Sequence, residues 1–68
     1  MTDLYRLASI AAQARVDALE EATIWRYHHR NSSPEHQDCA VVAMRRSYAA
    51  ADAYRASYDA LQEALHHA

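Results

Sequence analysis

The sequence contains no glycine and a single proline, Pro34, and these two facts limit its fold more than any others. A chain without glycine has few ways to pass through left-handed backbone and make a tight turn. Proline breaks a helix interior but is accepted in a helix's first turn. The chain therefore has one marked place to reverse, Asn31-Ser32-Ser33-Pro34. Thr2 can cap a helix ahead of it, and Ser33 with Pro34 and Glu35 makes a strong start for a second one. The expected fold is all-α, one domain over 1–68: helix 1 at about 3–29, a turn at 30–33, and helix 2 at about 34–66. The missing glycines also remove the phosphate-cradling and dinucleotide-binding loops.

Helical spacing predicts how the two helices meet. Leu4, Leu7, Ala11, Ala14, Ala18, Ala22 and Trp25 line one face of helix 1 at three- and four-residue steps. His36, Ala40, Ala43, Ser47, Ala50, Tyr54, Tyr58, Leu61 and Leu65 do the same on helix 2. In an antiparallel hairpin, facing residues then have numbers summing to about 65. Leu4 meets Leu61, Leu7 meets Tyr58, Ala11 meets Tyr54, Ala18 meets Ser47, and Trp25 meets Ala40. Tyr54 and Trp25 each face an alanine, so large residues meet small ones where bulk would clash, as a packed seam requires.

A second apolar set is left over. Tyr5, Ala8, Ala12, Val16 and Leu19 form a strip on helix 1, and Val41, Met44, Tyr48 and Ala51 form one on helix 2. Exposed strips of this length mark interfaces. The expectation is a homodimer, two hairpins joined as a four-helix bundle, with Val16, Leu19, Val41, Met44 and Tyr48 in the interface. The plain alternative is a lone hairpin with scattered exposed apolar residues.

Composition supports association and narrows the function. One cysteine, Cys39, rules out an internal disulfide framework. A domain of 68 residues that lacks such a staple normally associates. The net charge of −2 argues against a dedicated nucleic-acid binder. All seven basic residues are arginine, which with the abundant alanine suggests a GC-rich bacterial or phage coding sequence. No apolar run reaches membrane-spanning length. The first residues lack the basic start and apolar core of a secretory signal, so a cytoplasmic protein is expected.

Four constellations could carry chemistry. The first is Trp25-Arg26-Tyr27-His28-His29-Arg30, an aromatic and basic stretch with no acid between Ala22 and Pro34. Arg45 and Arg46 extend it on helix 2. Trp, Tyr and Arg dominate binding hot spots, so Arg26, Tyr27, Arg30, Arg45 and Arg46 are the candidate partner contacts; the plain alternative is cations at a helix C-terminus. The second is a metal site, since the sum rule sets His29 opposite His36, with Cys39 one turn along. That spacing fits no zinc-finger pattern and the site would sit at a helix junction, so ordinary polar residues with a small packed cysteine are the preferred reading; no cofactor is expected. The third, Cys39 with His36 and Asp38, lacks an oxyanion hole and a concave pocket, so an enzyme is not expected. The fourth, Asp17, Glu20 and Glu21, could imitate phosphates, though charge runs are usually solvated faces.

The pattern from Leu4 through the Asn31–Pro34 turn to Leu65 resembles the small two-helix host-takeover proteins of bacteriophages, most of all the anti-activators of quorum sensing. The resemblance lies in size and architecture, and it transfers no residue motif. It implies a dimer that binds the DNA-binding region of a LuxR-type transcription regulator and blocks its contact with DNA. It also implies a second target, the ATPase that drives type IV pilus assembly. Two other classes compete with an inhibitor: a structural or assembly partner of another helical protein, and a small metal-binding module using His29, His36 and Cys39.

Overall fold

The computed structural model describes residues 2–31 and 33–67, without the side chains of Thr2 and His36. Helix α1 spans Thr2–Asn31, a single 3₁₀ turn spans Pro34–His36, and helix α2 spans Gln37–His66. The helices lie antiparallel along each other in a rod whose Cα atoms extend 52 × 13 × 12 Å. The chain is an all-α helical hairpin, as the lone proline and missing glycines predict.

Two boundaries differ from expectation, each for a local reason. Helix α1 continues to Asn31 instead of ending near 29. Asn31 folds back over the last turn, donating its side-chain Nδ2 to the Tyr27 carbonyl at 2.8 Å, a local bond that favours keeping this residue within the helix. The second helix opens with a 3₁₀ turn before the α-helix begins, a common form for a helix terminus. Ser33 holds extended backbone at φ −77° and ψ 167°, the region imposed on a residue before proline. Among the described residues none has positive φ. Thr2, expected as a cap, has its side chain outside the described set.

Burial follows a three-four repeat on both helices, with Ala22, Met44 and Gln62 half-buried beside it. On α1 it picks out Leu4, Leu7, Ala11, Ala14, Ala18, Glu21, Trp25 and His28; on α2, Ala40, Ala43, Ser47, Ala50, Tyr54, Ser57, Leu61 and Ala64. This seven-residue repeat is the pattern of helices wrapped in a left-handed supercoil. It corrects the expected seam near the free ends, where Tyr58 and Leu65 are 46% and 50% exposed. Ser57 and Ala64 take the inner positions instead. The Ser57 hydroxyl donates to the Ala53 and Tyr54 carbonyls, both at 2.9 Å, so it is satisfied within its own turn and costs little to bury. Tyr58 instead packs edge-on against Tyr54, with ring centroids 6.2 Å apart.

The seam is narrow. Its buried residues among those described are Ala11, Ala43 and Ser47, and no large side chain among them is fully enclosed. Small residues allow close approach but remove little apolar surface from water. The hairpin alone therefore gains a modest hydrophobic stabilisation.

Candidate partner-binding surface

At about 100° per residue, positions beside the seam fall on two flanks. Because the helices are antiparallel, the residues one step past the inner positions of both lie on the same side of the hairpin. One flank joins Tyr5, Ala8, Ala12 and Leu19 of α1 to Val41, Met44, Tyr48, Ala51, Tyr58 and Leu65 of α2. Tyr5 is 80% exposed, Tyr48 60% and Leu19 55%. Of the expected dimer residues, Leu19, Val41 and Tyr48 lie open on this flank, Met44 is half-buried at its base, and Val16 sits further round, on the outer edge of α1.

The opposite flank has different chemistry. Arg46 donates from Nη2 to Glu21 Oε1 across the two helices at 3.2 Å. Below this bridge a shallow groove of about 410 Å³ is lined by Ala14, Asp17, Glu20, Ala49, Ala50 and Ala53. Above it a second groove, of about 370 Å³, is lined by Ile24, His28, Asp38, Cys39, Val42 and Ala43. The acids expected to act together are therefore split in use: Glu21 is neutralised by Arg46, and Asp17 accepts from Gln13 Nε2 at 3.0 Å.

The candidate basic contacts do not form one patch. Arg26, Tyr27 and Arg30 gather with Thr23 and Asn31 around a shallow concavity on the outer side of α1. Tyr27 is 64% exposed and meets the His28 ring edge-on at 5.6 Å. Arg45 lies on the outer edge of α2, and Arg46 is on the far flank, engaged with Glu21. One turn of one helix thus supplies the cluster. Sequence spacing alone placed Arg46 beside it because the bridge to Glu21 depends on the register between helices.

The metal candidates are also drawn apart. The His29 ring stacks on Trp25 at 5.2 Å and 21°, whereas Cys39, exposed and free, lines the groove that holds His28. The His36 side chain lies outside the described residues. Among those described, no group of three His, Cys, Asp or Glu side chains is placed to hold a metal ion. No helix among the described residues is long and apolar enough to cross a membrane.

No family model, no curated protein and no solved structure matches the chain. The functional reading accordingly rests on the surface itself.

Proposed function

We propose that the hairpin is an inhibitory protein-binding module of phage type, without catalytic activity of its own. Its expected target is a host LuxR-type quorum-sensing regulator, with the pilus assembly ATPase as a second target, and it acts by steric occlusion in the host cytoplasm. The observation that carries the reading is the open flank of Tyr5, Leu19, Val41, Tyr48, Tyr58 and Leu65, with Arg26 exposed at its rim and Arg30 beyond it on the outer edge of α1. Tyrosine and arginine presented on a rigid helical surface are the side chains that make binding hot spots. The shallow grooves offer no enclosed reaction site. Two occupants compete for the flank: a second copy, as the homodimer expectation has it, and the target itself.

The test is capture from nuclease-treated lysate of a quorum-sensing Gram-negative bacterium, using the tagged full chain and mass spectrometry. A LuxR-type regulator or a pilus ATPase, retained by the unaltered chain and lost with Arg26→Ala and Arg30→Ala, is the expected result. Capture of neither, by bait shown to be helical, rejects those targets. A stable stoichiometric complex with another helical protein, and no effect on regulators, would favour an assembly role.

A further inference from the structure

The open flank has both the area and the charge to specify its occupant. Its exposed tyrosines, leucines and valine present roughly 700 Å² of surface, close to the ~800 Å² per partner of a standard protein interface. The charges on that flank are of one sign. Helical spacing puts Arg15, Arg26 and Arg55 there, all exposed. The carboxylates of α1 turn to the other flank and the outer edge, where Glu21 meets Arg46. Those of α2, from Asp38 to Glu63, lie on its outer edge or beyond it. Arg46–Glu21 is the one ion pair among the described residues, so Arg15, Arg26 and Arg55 are without a salt-bridge partner among them.

A second copy fits this surface poorly. Face to face, each hairpin would bring its three arginines and no carboxylate to the contact. Arg15 lies next to the seam, so it would be drawn towards the middle of the resulting bundle. A buried charge lacking a counter-ion is among the costliest contacts an interior can hold. Duplex nucleic acid offers anions, but no apolar ridge to cover Leu19, Tyr48 and Tyr58.

We propose that this flank docks an acidic amphipathic helix of another protein, with leucine-sized side chains along its middle and carboxylates along its edges. The apolar ridge lies over Leu19 and Tyr48 in the helix-in-groove manner, the guanidinium fork of Arg55 takes carboxylates at its margin, and Arg15, nearer the seam, extends along its stem to a carboxylate of the docked helix. The inference rests on the reading of the chain as a protein-binding module, and it sharpens that reading. A regulator would be gripped on an acidic surface beside its basic DNA-reading surface, and DNA would be excluded by bulk.

The experiment titrates the full chain into three labelled probes, read by fluorescence anisotropy. One probe is a synthetic amphipathic helix with leucine at its core positions and glutamate on the flanks; the others are its lysine counterpart and a DNA duplex. The glutamate helix should bind, and added salt should weaken it. Arg15→Glu and Arg55→Glu should each reduce affinity by about tenfold or more, and Arg15→Lys by less. If a reversal unfolds the hairpin by circular dichroism, the salt dependence and the lysine-helix comparison decide on the unaltered chain. Equal binding of the lysine helix or the duplex overturns the inference, as does a folded Arg15→Glu chain that binds normally. So does a dimer in sedimentation that Leu19→Glu splits, because a second copy then covers the flank. A chain that captures a regulator yet ignores the glutamate helix loses this inference alone; the converse loses only the named target.

Discussion

Replacing Ala43 with leucine should destabilise the hairpin, although it adds apolar surface at a buried site. The rod is 13 Å across in its wider short dimension at the Cα level. Subtracting the ~4.6 Å Cα diameter of one helix leaves the axes about 8 Å apart, the close end of the range for packed helices. Ala43 is only 5% exposed there and faces the Trp25 end of α1. Leucine brings three further carbon atoms into this seam, and the space beside Ala43 is a shallow groove open to solvent that does not enclose them. Overpacking of this kind costs about 1–3 kcal/mol, against about 3–10 kcal/mol of total stability for a chain this short. At about 4–8 °C per kcal/mol, the melting temperature should fall by roughly 5–20 °C. Far-UV circular dichroism of Ala43→Leu beside Ala56→Leu, at several protein concentrations, measures it. Ala56 is exposed on the same helix, so its variant carries the same change in composition without the crowding and should shift little. An Ala43→Leu chain that melts at or above the Ala56→Leu chain would refute the close approach.

Arg26→Ala and Arg30→Ala should abolish capture of the target while leaving far-UV ellipticity unchanged, because both side chains are exposed; loss of binding together with helicity would count against a direct contact. The Arg46–Glu21 bridge, with side chains 69% and 20% exposed, should contribute no more than about 1 kcal/mol. Glu21→Gln should therefore lower the melting temperature by a few degrees at most, and high salt should reduce the difference; a much larger loss would make the bridge a main clasp of the hairpin. Stoichiometric zinc should leave the melting temperature unchanged, since His29 is stacked on Trp25 and away from Cys39. A rise that chelator reverses would restore the three-ligand site.

The hairpin was legible because the one proline and absent glycines leave a single turn, and because apolar spacing repeats over both long helices. The inner line was legible from Leu4 to Ala18 and from Ala40 to Tyr54; at the next step of α1 the line runs through Glu21, with the expected Ala22 half-buried beside it. It slipped at Tyr58 and Leu65, where hydrophobicity favours tyrosine and leucine over Ser57 and Ala64. The seven-residue repeat overrides that preference, and the Ser57 hydroxyl removes the penalty by bonding the Ala53 and Tyr54 carbonyls. The basic site was legible on one helix only. Arg26, Tyr27 and Arg30 share a helical turn, so spacing alone groups them. Arg46 depends on the facing helix, and the pairing with Glu21 appears only once the register is fixed.

The two flanks differ in a way that sets what the hairpin can gain from a partner. The Glu21–Arg46 flank is divided by its ion pair into an alanine-lined groove beside Asp17 and Glu20 and a smaller one holding Ile24 and Val42, so it offers a partner less continuous apolar surface. The opposite flank exposes its tyrosines, leucines and unpaired arginines together. A seam whose buried residues are Ala11, Ala43 and Ser47 contributes modestly on its own, so a partner on the open flank adds stabilisation that the fold lacks. Binding to the folded hairpin alone then raises its stability by mass action, by about 2.7 kcal/mol at a hundredfold excess over Kd. For a chain this small that is a rise in melting temperature of roughly 10–20 °C. The weak seam and the rich flank thus describe one property: the hairpin should be markedly more stable when bound than when free.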